Sequence, residues 1–156
     1  MRAPVAVLAL AALLTACSDS RPCTMIGTRV GVGLTVEAPL ASQVDRAELE
    51  VCLPDGCRTY EPDLHPVTAA AETTCSGDTC SARMRETGGK QGFADVPGLP
   101  KSPVRVRVTL LDADGRTLLD RGLDVTPEGR FPNGPDCGEG GPNALLVAGP
   151  DGVRVK

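Results

Sequence analysis

Apolar and polar residues alternate along much of this chain, and this period-two pattern constrains the fold more than any other feature. Within residues 29–37, every second residue from Val30 to Val36 is apolar. The pattern returns at 47–53 and at 104–110, with charged residues at intervening positions. Because successive side chains of a strand point to opposite faces, each segment is predicted to be a strand with one buried face.

Turn-forming residues separate these segments and argue against long helices. Asp-Gly pairs, typical of tight hairpin turns, stand between the alternating runs. They are Asp55-Gly56, Asp114-Gly115 and Asp151-Gly152. Weaker strands are predicted at 58–61, 81–86, 117–125, 144–148 and 153–155. With 18 glycines and 14 prolines in the chain, no stretch after residue 16 sustains a helical period.

The predicted fold class is all-β, an immunoglobulin-like β-sandwich of about seven or eight strands that is stabilised by disulfide bonds. The likeness concerns architecture only, because immunoglobulin domains bury a tryptophan and this chain has none. Its core is expected to consist of Val, Leu and Ala. Two stretches rich in proline, glycine or short polar residues, 62–79 and 130–143, are expected to be irregular.

The first 17 residues have the pattern of an export signal. Arg2 supplies a positive charge, and the apolar run from residue 4 to residue 14 is shorter than the roughly 20 residues of a membrane-spanning helix. The following residues, Leu14-Thr15-Ala16-Cys17, resemble the lipobox of bacterial lipoproteins. That resemblance implies lipidation of Cys17 and anchoring at the extracytoplasmic face of the bacterial cell membrane. The alternative is an ordinary secretory signal cleaved after Ala16.

This interpretation divides the chain into a signal peptide at 1–16, a lipid-anchored tether at 17–22 and a single domain at 23–156. Five residues separate Cys17 from Cys23, and a fully extended chain of that length spans about 17 Å. We therefore expect the domain to lie close to the membrane, where partners near the lipid headgroups are favoured.

Six cysteines remain after Cys17, and an even number in an exported chain predicts three disulfide bonds. Of the many possible connectivities, spacing favours Cys52–Cys57 and Cys75–Cys80, because each pair encloses four residues with a turn at their centre. Cys23 then pairs with Cys137. A zinc site is the rival interpretation, but the chain has one histidine and an export signal, so no metal or other cofactor is predicted.

The candidate catalytic and ligand-binding motifs are incomplete. His65 is the single histidine and lies in no nucleophile motif, so no catalytic residue is predicted. The segment 112–115, with Asp120 and Asp124 downstream, resembles the start of a calcium loop but lacks its terminal glutamate, and a hairpin turn is favoured. Gly88-Gly89-Lys90 departs from the phosphate-loop spacing.

The charge pattern excludes one partner class and suggests another. A net charge of -4 without a basic block argues against nucleic acid. Two arginine pairs on predicted outward faces, Arg83 with Arg85 and Arg105 with Arg107, are candidates for contact with anionic lipid or wall polymer. The favoured alternative pairs them across strands with Glu48 and Glu50.

The lipobox, the paired-cysteine hairpins and the loop from Phe131 to Cys137 together resemble uncharacterised secreted lipoproteins of actinomycete type. The resemblance implies no activity. The expected function is a non-enzymatic binding or accessory module of the envelope, with the membrane and an envelope protein or glycan as partners. One alternative is an envelope-associated hydrolase or transferase, which predicts His65 or a carboxylate pair in a pocket. Another is a disulfide-rich inhibitor or carrier that binds through residues 131–136.

Overall fold

The computed structural model describes residues 22–156, and it is built almost entirely from β-strands. The predicted signal peptide, Cys17 and the tether up to residue 21 lie outside the described residues. No helix within 22–156 is long and apolar enough to cross a membrane. The ten strands are β1 (Gly31–Val36), β2 (Arg46–Leu53), β3 (Gly56–Tyr60), β4 (His65–Ser76), β5 (Thr79–Asp95), β6 (Val104–Leu111), β7 (Thr117–Val125), β8 (Glu128–Arg130), β9 (Gly140–Gly149) and β10 (Gly152–Val155).

The strands form two sheets. The larger sheet has the order β10-β9-β1-β5-β4, and β8 adds to it by pairing with β9. The smaller sheet has the order β3-β2-β6-β7. Strand β1 lies at the centre of the larger sheet, where it pairs in antiparallel with β5 and in parallel with β9.

The facing sides of the two sheets enclose one hydrophobic core. Val32, Leu34 and Val36 of β1 are fully buried, as the alternation predicted. They meet alternating residues of the smaller sheet, such as Leu49 of β2 and Val106 of β6. The core thus consists of aliphatic side chains, and the chain's single tyrosine packs only at its margin. Such a core buries little area per residue, which increases the relative importance of covalent links.

The structure contains three disulfide bonds, and they join the pairs favoured by the cysteine spacing. Cys52–Cys57 and Cys75–Cys80 each link directly opposite residues of a hairpin. Cys23–Cys137 links positions 114 residues apart and ties the segment before β1 to the loop before β9.

The structure corrects three details of the sequence interpretation. The described residues form ten strands rather than seven or eight. Most of 62–79, expected to be irregular, is strand β4, whose backbone pairs with β5 although its Ala-Thr run buries neither face. The second stretch, 130–143, is irregular only in its middle, because β8 ends at Arg130 and β9 begins at Gly140.

We expect the long bridge to contribute most to stability. In the chain-entropy model, removing Cys23–Cys137 by paired serine substitutions lowers the free energy of unfolding by about 5 kcal/mol, against about 2 kcal/mol for Cys52–Cys57. Urea unfolding of the two double variants measures the difference. Equal losses would show that loop length does not govern the effect in this chain.

Candidate functional site

The hairpin of β4 and β5 extends far beyond the body of the protein. Strand β5 pairs with β1 only from Lys90 to Asp95, so its first 11 residues, Thr79 to Gly89, continue past the end of β1. At roughly 3.3 Å per residue, this part is about 35 Å long. We call residues 67–89 the ribbon. Every residue from 70 to 88 is exposed.

The two faces of the ribbon differ in chemistry. One face carries Glu72 opposite Arg83, and beyond them the hydroxyl groups of Thr74 and Ser81 lie 3.1 Å apart in a hydrogen bond. The other face carries Met84, which is 59% exposed and lies opposite Ala70. Glu86, two residues along β5 and opposite Thr68, shares this face, so the faces differ by the exposed methionine while both carry charged groups.

Local contacts hold the ribbon in place at both ends. Its outer end is closed by Cys75–Cys80 beside the turn at Gly77 and Asp78. At its base, the Thr87 hydroxyl donates to the carbonyl of Val67 at 3.0 Å, and the Lys90 ammonium donates to the carbonyl of Val44 at 2.5 Å. Because a two-stranded hairpin without a core is marginally stable, these contacts and the bridge maintain its order.

The ribbon and the long disulfide lie at opposite ends of the larger sheet. Cys23 precedes the start of β1, and Cys137 precedes the start of β9, which runs parallel to β1. Strand β5 runs antiparallel to β1, so its first residues leave the sheet at the far end. The ribbon therefore projects away from the point where the N-terminal segment joins the domain.

The outer face of the larger sheet holds a pocket of about 470 Å³. Its lining includes Gly33, Phe93 and Leu145, which are neighbours across three strands. A Cβ atom at Gly33 would lie 2.7 Å from the Leu145 side chain and 3.3 Å from the Phe93 ring, so only glycine allows these side chains to close over the strand. Polar side chains surround this apolar floor: Thr35, Asp63, His65 and Gln91.

An ion pair shapes one side of the pocket. The Arg29 guanidinium lies 4.3 Å above the centroid of the Phe93 ring and donates two hydrogen bonds to Asp95, at 2.7 and 3.0 Å. The hydrogen bond from Arg29 lowers the pKa of the Asp95 carboxyl below its ordinary value of 3.8. The same hydrogen bond raises the pKa of Arg29, whose charged guanidinium stacks on the ring.

His65 lies in this pocket, and so does Asp63. The lining contains one carboxylate side chain rather than a pair, and within residues 22–156 no hydrogen bond joins His65 to Asp63. The position of His65 agrees with what the hydrolase or transferase alternative predicts. The arrangement supplies one imidazole and one carboxylate side chain beside an apolar floor.

The calcium-like segment is a hairpin turn between β6 and β7. The Asp112 carboxylate accepts the backbone N–H groups of Asp114 and Arg116, at 2.9 and 2.8 Å, while Arg116 also contacts the Asp114 side chain. Asp120 and Asp124 point to arginines of β6 instead. Within residues 22–156, no cluster of three or more His, Cys, Asp or Glu side chains is placed to hold a metal ion.

The arginines of β6 pair with acidic residues, but not with the predicted ones. Arg107 donates to Asp120 and Arg105 lies 3.5 Å from Asp124, both on β7, whereas Glu48 and Glu50 on β2 were expected. Arg107 and Glu50 do occupy opposite positions in the sheet. The Arg107 guanidinium instead binds Asp120 diagonally across the pair of strands β6 and β7, and this hydrogen bond lowers the pKa of the Asp120 carboxyl.

Comparisons of the chain with protein-family models, with curated proteins and with solved structures find no match.

The sequence interpretation missed the ribbon and the pocket. The sequence does contain a pattern that indicates the ribbon. Two stretches of similar length flank the Cys75–Cys80 turn, and neither shows the alternation of apolar and polar residues that marks a strand with one buried face. The pocket depends on Gly33 facing Phe93 and Leu145, and strand register alone brings these residues together.

Acid should remove the contribution of the Arg29–Asp95 pair. The pKa of Asp95 is lowered in the folded protein, so the stabilisation is complete above the ordinary value of 3.8 and is lost as the pH falls through the lowered value. We expect the stability difference between the wild type and Asp95→Asn to shrink as the pH decreases from about 6 to about 2. Urea unfolding midpoints of both proteins across this pH range measure the difference. Asp78→Asn, which changes an exposed aspartate of the ribbon, is the control.

Proposed function

We propose that this protein is a lipid-anchored lipoprotein of the bacterial cell surface that acts as a non-enzymatic binding or accessory module of the envelope. The observation that carries the proposal is the exposed ribbon, which projects from the end of the larger sheet opposite Cys23. The lipobox-like segment ending at Cys17 supplies the anchor in this proposal.

The ribbon has the properties of a recognition element. Ordering about 20 backbone residues costs conformational entropy, and here no buried core compensates for that cost. Beyond β1, the outer edges of both β4 and β5 lie open, and open edges present backbone groups to which an extended partner segment can add. The edge of β5 carries Arg83, Arg85 and Glu86, whereas the Ala-Thr run of β4 has fewer charges to oppose strand addition.

The direction of the ribbon favours a partner away from the membrane. A tether of five residues holds Cys23 near the lipid headgroups, whereas the ribbon begins at the far end of the sheet and continues for about 35 Å. We expected partners near the headgroups from the tether alone. The proposed partner is instead an envelope protein or glycan farther from the membrane.

The proposal extends to the architecture. We place residues 23–156 in one domain and regard its two packed sheets as immunoglobulin-like in the general sense of a β-sandwich. In immunoglobulin constant domains the first strand lies at an edge of its sheet, whereas β1 is central here. The likeness therefore concerns layers and not strand order.

Site-specific photocrosslinking in cells tests the binding proposal. With benzoylphenylalanine at Met84 on the ribbon, we expect capture of one defined envelope component, and much less capture from Thr59, an exposed residue of β3. Capture from Met84 should be lost in a Cys17→Ala background and reduced in Cys75→Ser/Cys80→Ser, whose ribbon lacks its bridge. Equal capture from both positions, or none from Met84, would contradict a role of the ribbon in recognition.

The second candidate function is an envelope-associated hydrolase or transferase, favoured by His65 and Asp63 in the pocket of the larger sheet. If this function is correct, His65→Ala removes turnover of cell-wall fragments while the urea midpoint is unchanged, because His65 is exposed. An Asp78→Ala variant on the ribbon serves as the matched control. Turnover that persists in His65→Ala would exclude catalysis by this imidazole.

A further inference from the structure

Exposed apolar side chains are concentrated at the end of the molecule where the N-terminal segment enters. Met25 is 100% exposed, Ile26 is 60% exposed and Phe131 is 50% exposed. Among residues 22–156, the other exposed large hydrophobic residues are Met84 on the ribbon and Val155 in β10. Isolated exposed apolar residues are common, but three in two adjoining segments form a surface that requires an explanation.

The two segments are held together by specific contacts. Cys23 is bonded to Cys137, and the Thr24 hydroxyl contacts the side-chain oxygen of Asn133. The amide nitrogen of Asn133 also donates to the carbonyl of Ile26 at 3.0 Å. These contacts bring the segment of Phe131 beside that of Met25 and Ile26. We call these three residues the apolar foot.

The apolar foot lies where the proposed anchor would hold it. Only five residues separate Cys17 from Cys23, so a lipidated Cys17 keeps Cys23 within about 21 Å of its own position at the bilayer surface. At that distance, moving exposed apolar side chains from water into the boundary between headgroups and acyl chains lowers the free energy.

We propose that the apolar foot inserts into the surface of the phospholipid bilayer and seats the domain with its ribbon pointing away from the membrane. This inference rests on the lipid anchoring in the proposed function. The contact is apolar rather than electrostatic: the loop carries Asp136 and Glu139, and the nearby Lys101 is engaged by Glu139 at 2.5 Å. Arg130, which precedes Phe131, is likewise engaged, because it donates to the Asn143 side chain at 2.8 Å. Anionic lipid should therefore add little to binding.

A single tryptophan can report insertion, because the chain contains none. The full lipidated protein with Phe131→Trp is reconstituted into phosphatidylcholine vesicles. We expect its emission to shift to shorter wavelength and to be quenched by lipids with brominated acyl chains. Met84→Trp is the matched control, since Met84 is similarly exposed but lies on the ribbon, and its emission should stay that of a residue in water.

Removal of the other two foot residues gives the second test. In the unlipidated protein that carries Cys17→Ser and Phe131→Trp, adding Met25→Ser with Ile26→Ser should weaken partitioning into vesicles by about tenfold. Urea midpoints should be unchanged, because both side chains are exposed. Replacing part of the phosphatidylcholine with phosphatidylglycerol should change partitioning by less than about twofold.

The outcomes separate the apolar foot from the anchor. Flotation of the wild type at lipid concentrations too low to retain Cys17→Ser tests the anchor alone. If the lipidated Phe131→Trp protein floats while its tryptophan emits as in water, the apolar foot is overturned and the anchor stands. If the wild type does not float but the tryptophan emission of the unlipidated Phe131→Trp protein shifts with excess vesicles, the anchor fails and the apolar foot stands.

Discussion

The hydrogen-bonded position of β1 between β9 and β5 holds the larger sheet together. The hairpin of β4 and β5 and the hairpin of β9 and β10 have no direct pairing with each other, and β1 is the strand that joins them. The same strand supplies Val32, Leu34 and Val36 to the core. Because its outer face includes Gly33, it also provides the floor of the pocket. The core, the pocket and the attachment of the ribbon to the sheet thus all depend on the six residues of β1.

The sequence predicted those parts of the fold in which local pattern and burial agree. Strands β1, β2 and β6 each have one face in the core, so the alternation of their residues reports both secondary structure and orientation. Strand β4 carries no such information, because nothing covers either of its faces over most of its length. Backbone pairing with β5 makes it a strand, and pairing partners cannot be deduced from the Ala-Thr run itself.

The candidate sites depend on relations between distant segments and were predictable only in part. His65 was singled out because it is the sole histidine, but its neighbours in the pocket come from several other parts of the chain. The arginines of β6 were expected to bind acidic residues, and they do. Their partners lie on β7 because Arg107 reaches diagonally to Asp120 rather than to the opposite Glu50. Cross-strand position narrows the choice of ion-pair partners without deciding it.

The parallel arrangement of β1 and β9 has a mechanical consequence. A pull on the N-terminal segment reaches Cys23, and the bond to Cys137 divides the load between two neighbouring strands that begin at the same end. A force on the ribbon, directed away from Cys23, loads β5 in the opposite direction. The interface between β1 and β5, with six residue pairs in register, is then sheared along its length. All of its hydrogen bonds resist together, whereas a hairpin pulled open from its end loses them one at a time.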